Sequence, residues 1–237
     1  MQRDAPFVTG EFYHLFNRGA HKNKIFLHDG DYSRFQLLMH LGNSVEKILV
    51  REVLKKYKGN LISNIFEEEV SDKGLVDVLA YCLMPNHFHL ILRQKSDNGI
   101  TQFLKRAIGG YSMYFNLSKK HEGTLFQGPT KSRLIDNEPY FRYIFAYLHL
   151  NPLDLVEPKW KEKGLSGKVG TKKFIYEYPY SSFFDYVIDK RPERSILAYD
   201  SAPDFLKSSN DFADLVRWHK SGELIEKLST DTEDSSL

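Results

Sequence analysis

The sequence predicts an α+β domain organised on an antiparallel sheet, and three observations carry that reading. Two strand-like runs, Val76 to Leu83 and His87 to Leu92, are joined by Met84-Pro85-Asn86, a connection short enough only for antiparallel pairing or a bulge. An aromatic-rich run, Gly10 to Arg18, supplies a further strand that closes on Gly19, a residue able to take a turn conformation. Apolar residues recur at spacings of three and four in two places, first Phe35, Leu38, Met39 and Leu41, then Phe103, Leu104, Ala107, Ile108, Tyr111, Tyr114 and Phe115. That periodicity marks amphipathic helices that lay one face on a sheet.

With 237 residues, 41% of them apolar and 27% charged, the chain can bury the core of one domain with elaborations. Cys82 is the single cysteine, which excludes an internal disulfide framework and a cysteine-based zinc cluster and points to a reducing compartment. No apolar run approaches the ~20 residues of a membrane span, and the amino-terminal stretch has no secretory pattern. A cytoplasmic protein without a membrane partner is therefore expected. A net charge of +2 is too small to name a partner, so charge has to be read by where it falls.

In chain order, Asp29-Gly30-Asp31 opens the first helix, and Val45, Leu49, Val53 and Leu54 continue its spacing toward Gly59-Asn60. Leu61 to Val70 reads as a strand whose Glu67, Glu68 and Glu69 line a solvated edge. A second helix covers Ile100 to about His121. Pro139 suits the first turn of a third, and Asn151 before Pro152 marks its end. Beyond it Lys159, Lys161, Lys163, Lys168, Lys172 and Lys173, against Glu157 and Glu162, form a basic loop able to follow a DNA backbone or simply to stay solvated. Ser181 to Ile188 is a short helix, and Ala202 to Leu228 holds two more, with Phe205, Phe212, Leu215, Val216, Trp218 and Leu224 as packing positions. The expected organisation is a main domain over 8–188, a helical extension over 189–229 and a disordered acidic tail over 230–237.

His87 and His89 are two apart on an extended strand, so their imidazoles share one face while Phe88, Leu90 and Leu92 take the other. Converging neutral imidazoles make a divalent-metal chelate; the plainer reading is a pair of half-exposed histidines at a strand edge. His14 on the first strand could join them and is read first as a half-buried packing residue. Tyr147 and Asn151 are four apart and share a helix face, which sets a phenol beside an amide oxygen. Between Thr101 and Ile135 the cations Lys105, Arg106, Lys119, Lys120, Lys131 and Arg133 oppose one acid, Glu122, a surplus interleaved with aromatics and suited to phosphates.

Five stretches in order, Asn17-Arg18-Gly19, Met84-Pro85-Asn86-His87-Phe88-His89, Gly123-Thr124-Leu125-Phe126-Gln127-Gly128, Tyr147-Leu148-His149-Leu150-Asn151-Pro152 and Tyr178-Pro179-Tyr180-Ser181-Ser182-Phe183, resemble the HUH single-tyrosine transposases of small insertion sequences. Among these, the branch they resemble most is the REP-associated tyrosine transposases, over roughly Tyr13 to Tyr186. The resemblance implies a ferredoxin-like core with a central antiparallel sheet flanked by helices, to which the C-terminal helices add a small extension. It implies a metal-dependent endonuclease and strand transferase that cleaves single-stranded or hairpin DNA through a 5′-phosphotyrosine intermediate. By position Tyr147 is the nucleophile, His87 and His89 hold a Mg or Mn ion, and Asn151 stands where relatives commonly place a glutamine ligand.

Asn17 and Arg18, with the six cations above, become the expected DNA contacts. Residues 45–70 exceed the family core and read as an insertion; Pro129-Thr130 replaces the usual arginine and aromatic before Lys131, and Tyr180 stands for a tryptophan. A homodimer is compatible with the resemblance, since the tyrosine helix can complete its own site or a partner's. Tyr111 and Tyr114 are lesser candidates for the nucleophile. The alternative reading is a non-catalytic single-stranded nucleic-acid-binding protein on the same fold.

Overall fold

Strands Phe12–Arg18 (β1), Val76–Met84 (β2), His87–Gln94 (β3) and Lys131–Ile135 (β4) pair into one antiparallel sheet in the order β2-β3-β1-β4. The computed structural model describes residues 6–46, 48–57, 63–66, 74–165, 170–187, 191–207 and 211–234. Helices Asp29–Gly42 (α1), Val50–Lys56 (α2) and Ser63–Phe66 (α3) lie between β1 and β2, Gly99–Lys119 (α4) lies between β3 and β4, and Glu138–Leu150 (α5) follows β4. Two βαβ halves interleaved in this strand order make the α+β, ferredoxin-like core that the resemblance implies.

Strand alternation sorts the layers. Phe88 of β3 meets Phe35 of α1 with ring centroids 5.3 Å apart, and Phe35 meets Tyr111 of α4 at 5.1 Å. His89, one residue on, faces Tyr147 of α5 instead. The sheet therefore carries α1 and α4 on one side and α5 on the other.

The spacing predicts that the first helix continues past Val45, and the structure ends it at Gly42. Asn43 is the reason. Its side-chain amide donates to Val76 O at 2.9 Å and accepts from Val76 N at 3.0 Å, while Asn43 O accepts from Leu75 N, so the chain leaves the helix to pair with the start of β2. The strand expected over Leu61 to Val70 is replaced at 63–66 by the helical turn α3. Ile65 and Phe66 are both buried there, which a strand, sending neighbours to opposite faces, would not bring about against a single layer. Glu67, Glu68 and Glu69 lie outside the described residues, as do Lys168 and Ile188.

β2 is the sheet's edge, yet every one of its nine residues is buried. The Tyr178 to Ser182 stretch covers it. Leu83 N donates to Tyr180 O, Ser182 N donates to Tyr81 O, and the Tyr178 hydroxyl donates to Leu83 O, each within 2.9 Å. Farther along, Ala198 N donates to Val78 O and the Tyr186 hydroxyl to Leu79 O. An edge that would otherwise invite another strand is thus paired from within.

Past a 3₁₀ turn at Asn151–Leu155, helices Trp160–Lys163 (α6), Thr171–Glu177 (α7), Phe183–Val187 (α8) and Asp204–Lys207 (α9) lead to the long Phe212–Asp234 (α10). The helical backbone of α10 runs through Asp234, beyond position 230 where a disordered tail is expected; residues 235–237 are outside the described set. The helix α10 packs on the core. It lies along α5, with Trp218 and His219 against Phe145, Tyr143 and Tyr147. The approach is so close that a Cβ on Gly222 would overlap the Tyr143 ring. Gly222→Ala is accordingly expected to lower stability by about 1–3 kcal/mol through overpacking, although helix propensity alone would raise it by about 1 kcal/mol. Thermal melting checks the sign: a gain in Tm would mean that the two helices have room to spare.

Gly19 also answers to space, not to a turn. Its φ is −59°, which any residue adopts, and a Cβ there would collide with Asn23 O.

Candidate active site

Pairing with β1 places Phe16 opposite His89 and Arg18 opposite His87, so the face that bears the two histidines also bears His14, Phe16 and Arg18. The His87 and His89 rings are 5.1 Å apart and nearly perpendicular. His14 and His89 stack at 5.1 Å, and His14 Nε2 shares a hydrogen bond with His89 Nδ1 at 2.9 Å.

On the facing helix, the Asn137 side chain accepts from Tyr140 N at the start of α5, and Pro139 sits in its first turn. The helix then carries the Tyr147 ring to 5.5 Å from that of His89, edge to face. Asn151, only 1% exposed, donates its amide to Tyr147 O at 3.1 Å, which leaves Oδ1 for other partners. His87, His89, Tyr147 and Asn151 open on one cleft of about 470 Å³, with Arg18 and Lys131 on its strand side and Asp154 and Lys161 past the end of α5.

Burial governs the imidazoles. Desolvation, with the Lys161 charge second, takes His87 down to about 4, and desolvation together with His14 and His87 holds His89 well below the usual histidine value. His14 falls to about 3 through burial and then Arg133. All three are neutral near pH 7, the form that can ligate a metal.

The donor set fits a divalent ion. His87 Nδ1 donates to Asn86 Oδ1 at 2.7 Å, and in the matching tautomer His89 Nδ1 donates to His14 Nε2, so that each Nε2 keeps its lone pair. Among the described residues no three His, Cys, Asp or Glu side chains are placed to hold a metal. Asn151, whose side chain lies beside His87 in the cleft, would supply an amide oxygen as a third donor. Water and phosphate oxygens would complete such a shell.

An outer partner that orients a metal-ligating imidazole typically changes affinity by about 10–100-fold when removed. His14→Ala is therefore expected to weaken Mn binding to the chain by that factor, as measured by calorimetric titration. Unchanged affinity would reduce His14 to a packing residue.

The expected basic patch is divided by the sheet. Arg18, Lys131 and Arg133 are on the histidine face, Arg133 lying 4.3 Å from the Tyr140 ring centre. Lys105, Arg106, Lys119 and Lys120 are on or just after α4, behind the opposite face. Arg106 donates to Ser44 O and Glu46 O, and Lys119 pairs with the buried Asp31 at 3.0 Å. Lys105 and Arg106 border an apolar groove of about 970 Å³ against Leu38, Leu54 and Met113. The structure does not bring these four to the cleft. Asn17 reaches the cleft, but its amide donates to Gly128 O and its oxygen accepts from Arg18 N, so it ties the end of β1 to the turn at Gly128. Tyr111 donates to Ile25 O and Tyr114 to Asp31 Oδ1, both on the α1 and α4 side. Neither reaches the histidines.

Asp154 and His219 were not singled out in the sequence, and His14 and Lys161 were, without the partners the structure gives them. His14 meets His89 across 75 positions through strand register. Asp154 accepts from Trp160 Nε1 at 2.8 Å and from Lys161 Nζ at 2.9 Å. The Lys161 ammonium also donates to Asn151 Oδ1 at 3.3 Å and stands 5.0 Å from the Tyr147 ring centre. His219 of α10 stacks on Tyr147 at 6.2 Å.

The sheet face thus sets two converging imidazoles opposite a tyrosine of the facing helix, in one cleft. Residues 37–149 match the family model of the IS200-like transposases, a stretch that holds His87, His89 and Tyr147 and stops just short of Asn151. A solved structure of a REP-associated tyrosine transposase bound to a REP hairpin aligns with 89% of this chain and 96% of its own, at 13% identity and a TM-score of 0.43. No curated protein matches. Among the described residues no helix is long and apolar enough to cross a membrane.

Proposed function

We propose that the chain is a metal-dependent single-stranded DNA endonuclease and strand transferase with Tyr147 as its nucleophile, acting on DNA that folds into hairpins. The observation that carries this reading is the position of Tyr147, its ring 5.5 Å from that of His89, in one cleft with His87 and Asn151. A single chain supplies all four.

A divalent ion held by His87, His89 and Asn151 would draw negative charge from a phosphodiester lying in the cleft. Tyr147 Oη gives up its proton to water and attacks phosphorus in line with the P–O3′ bond; the Oη–P bond forms, and the 3′ oxygen departs with its electron pair and takes up a proton from water. The protein is left on the 5′ phosphate. Because the phosphotyrosine retains the energy of the broken phosphodiester, another 3′ hydroxyl can reverse the step and join strands without ATP. Arg18 and Lys131, on the strand side of the cleft, are placed to hold the backbone.

Incubation of the chain with Mn and a panel of 3′-labelled hairpin and linear oligonucleotides should give a retarded, covalently labelled protein band on a denaturing gel. If no panel member yields that band while salt-sensitive binding persists, the chain is a nucleic-acid-binding protein on the same fold.

A further inference from the structure

The Lys161 side chain is held unusually firmly for a lysine. Its Nζ lies 2.9 Å from Asp154 Oδ2 and 3.3 Å from Asn151 Oδ1. Asp154 is in turn fixed by the Trp160 indole at 2.8 Å, and Trp160, itself buried, packs against His219 of α10 at 4.8 Å. An ammonium has three N–H groups, and two are engaged. The third remains, on a side chain still 32% exposed that lines the cleft 5.0 Å from the Tyr147 ring centre.

Charge points the same way. Arg18, Lys131 and Lys161 line the cleft with Asp154 as the opposing acid, so the cavity carries an excess of positive charge that suits a phosphodiester. Arg18 and Lys131 come from the strands; Lys161 sits at the tyrosine. Asn151 Oδ1 has two lone pairs, so the contact with Lys161 is compatible with a second role for that oxygen as a metal ligand.

We propose that Lys161 is a catalytic residue of the strand-transfer reaction, its ammonium bound to a non-bridging oxygen of the scissile phosphate beside Tyr147. This rests on the function proposed above. As Oη–P forms and P–O3′ breaks, negative charge builds on the non-bridging oxygens, and a prepositioned cation opposes it with no reorganisation at the moment of reaction. The oxygens leave the step with the charge they brought, and Lys161 neither gains nor loses a proton. Asp154 and Trp160 act through Lys161 and are positioning residues.

The test uses the full chain with Mn and a 3′-labelled hairpin oligonucleotide that the unaltered protein cleaves, followed under single-turnover conditions. Lys161→Gln is expected to slow adduct formation by about 100-fold, with the Mn concentration at half-maximal rate changed less than about threefold. Lys161→Arg, which keeps a cation, should recover to within about tenfold of the unaltered protein, and Asp154→Asn, which keeps the ammonium but not the ion pair, should lose less than Lys161→Gln. The assignment is overturned if Lys161→Gln cleaves at nearly the unaltered rate, if Asp154→Asn costs as much as Lys161→Gln, if Lys161→Arg fails to recover, or if the Mn dependence shifts along with the rate, which would mean that Lys161 acts through Asn151. Failure of the unaltered chain to form an adduct with any oligonucleotide overturns the underlying function instead, and this assignment with it.

Discussion

Tyr147→Phe removes one oxygen and is expected to abolish the covalent protein–DNA band, lowering cleavage by about 10⁴-fold or more, as the loss of a nucleophile does. The ring is what packs against His89, Tyr143 and His219, and phenylalanine keeps it. Melting temperature and hairpin affinity should therefore stay close to those of the unaltered chain, so that the lost activity reports chemistry and not folding. Tyr111→Phe is the matched control. It deletes the buried hydroxyl that donates to Ile25 O and should cost about 1 kcal/mol of stability while leaving adduct formation intact. A labelled band that persists in Tyr147→Phe and vanishes in Tyr111→Phe would move the nucleophile to α4, across the sheet from both histidines.

What the sequence made legible follows from which periods are rigid. A strand repeats every two residues without slack, so the shared face of His87 and His89 and the opposite placement of Phe88 could be read directly. Tyr147 and Asn151 were legible for the matching reason on a helix. Register across strands has no such local signature. The contact between His14 and His89 depends on β1 pairing with β3, and nothing near His14 announces it.

The basic residues show the same limit. Helical spacing puts Lys105 and Arg106 on α4, but only the order of the sheet decides that α4 covers the face away from the histidines. Lys161 lies beyond the end of α5, where no period relates it to either element it serves. In the Tyr178 to Ser182 motif the pattern was visible and its use was not. The structure gives it one, since those residues close the free edge of β2.

That closure depends on one guanidinium, and Arg191→Ala should be the most destabilising of the substitutions considered. Arg191 pairs with Asp185 through two parallel hydrogen bonds of 2.9 Å, and the same group donates to Ser181 O, to the Tyr81 hydroxyl and to Pro179 O. Asp185 has no solvent exposure, and burial raises its carboxyl above the usual range even with Arg191 beside it. Removing the arginine strands a buried charge, which costs about 3–5 kcal/mol and lowers Tm by roughly 6–20 °C for a chain of this size. The pH dependence has a definite sign. A carboxyl whose folded pKa is raised binds its proton more readily in the folded chain, so its cost is full above the raised folded value, fades as pH falls through it and is gone below the unfolded value of about 4. The Tm gap between Arg191→Ala and the unaltered protein should therefore narrow in acid, and Asp185→Asn added to Arg191→Ala should recover part of the loss at neutral pH. A gap that widens in acid, or that the second substitution leaves unchanged, would show that Arg191 stabilises the edge through its carbonyl contacts and not through Asp185.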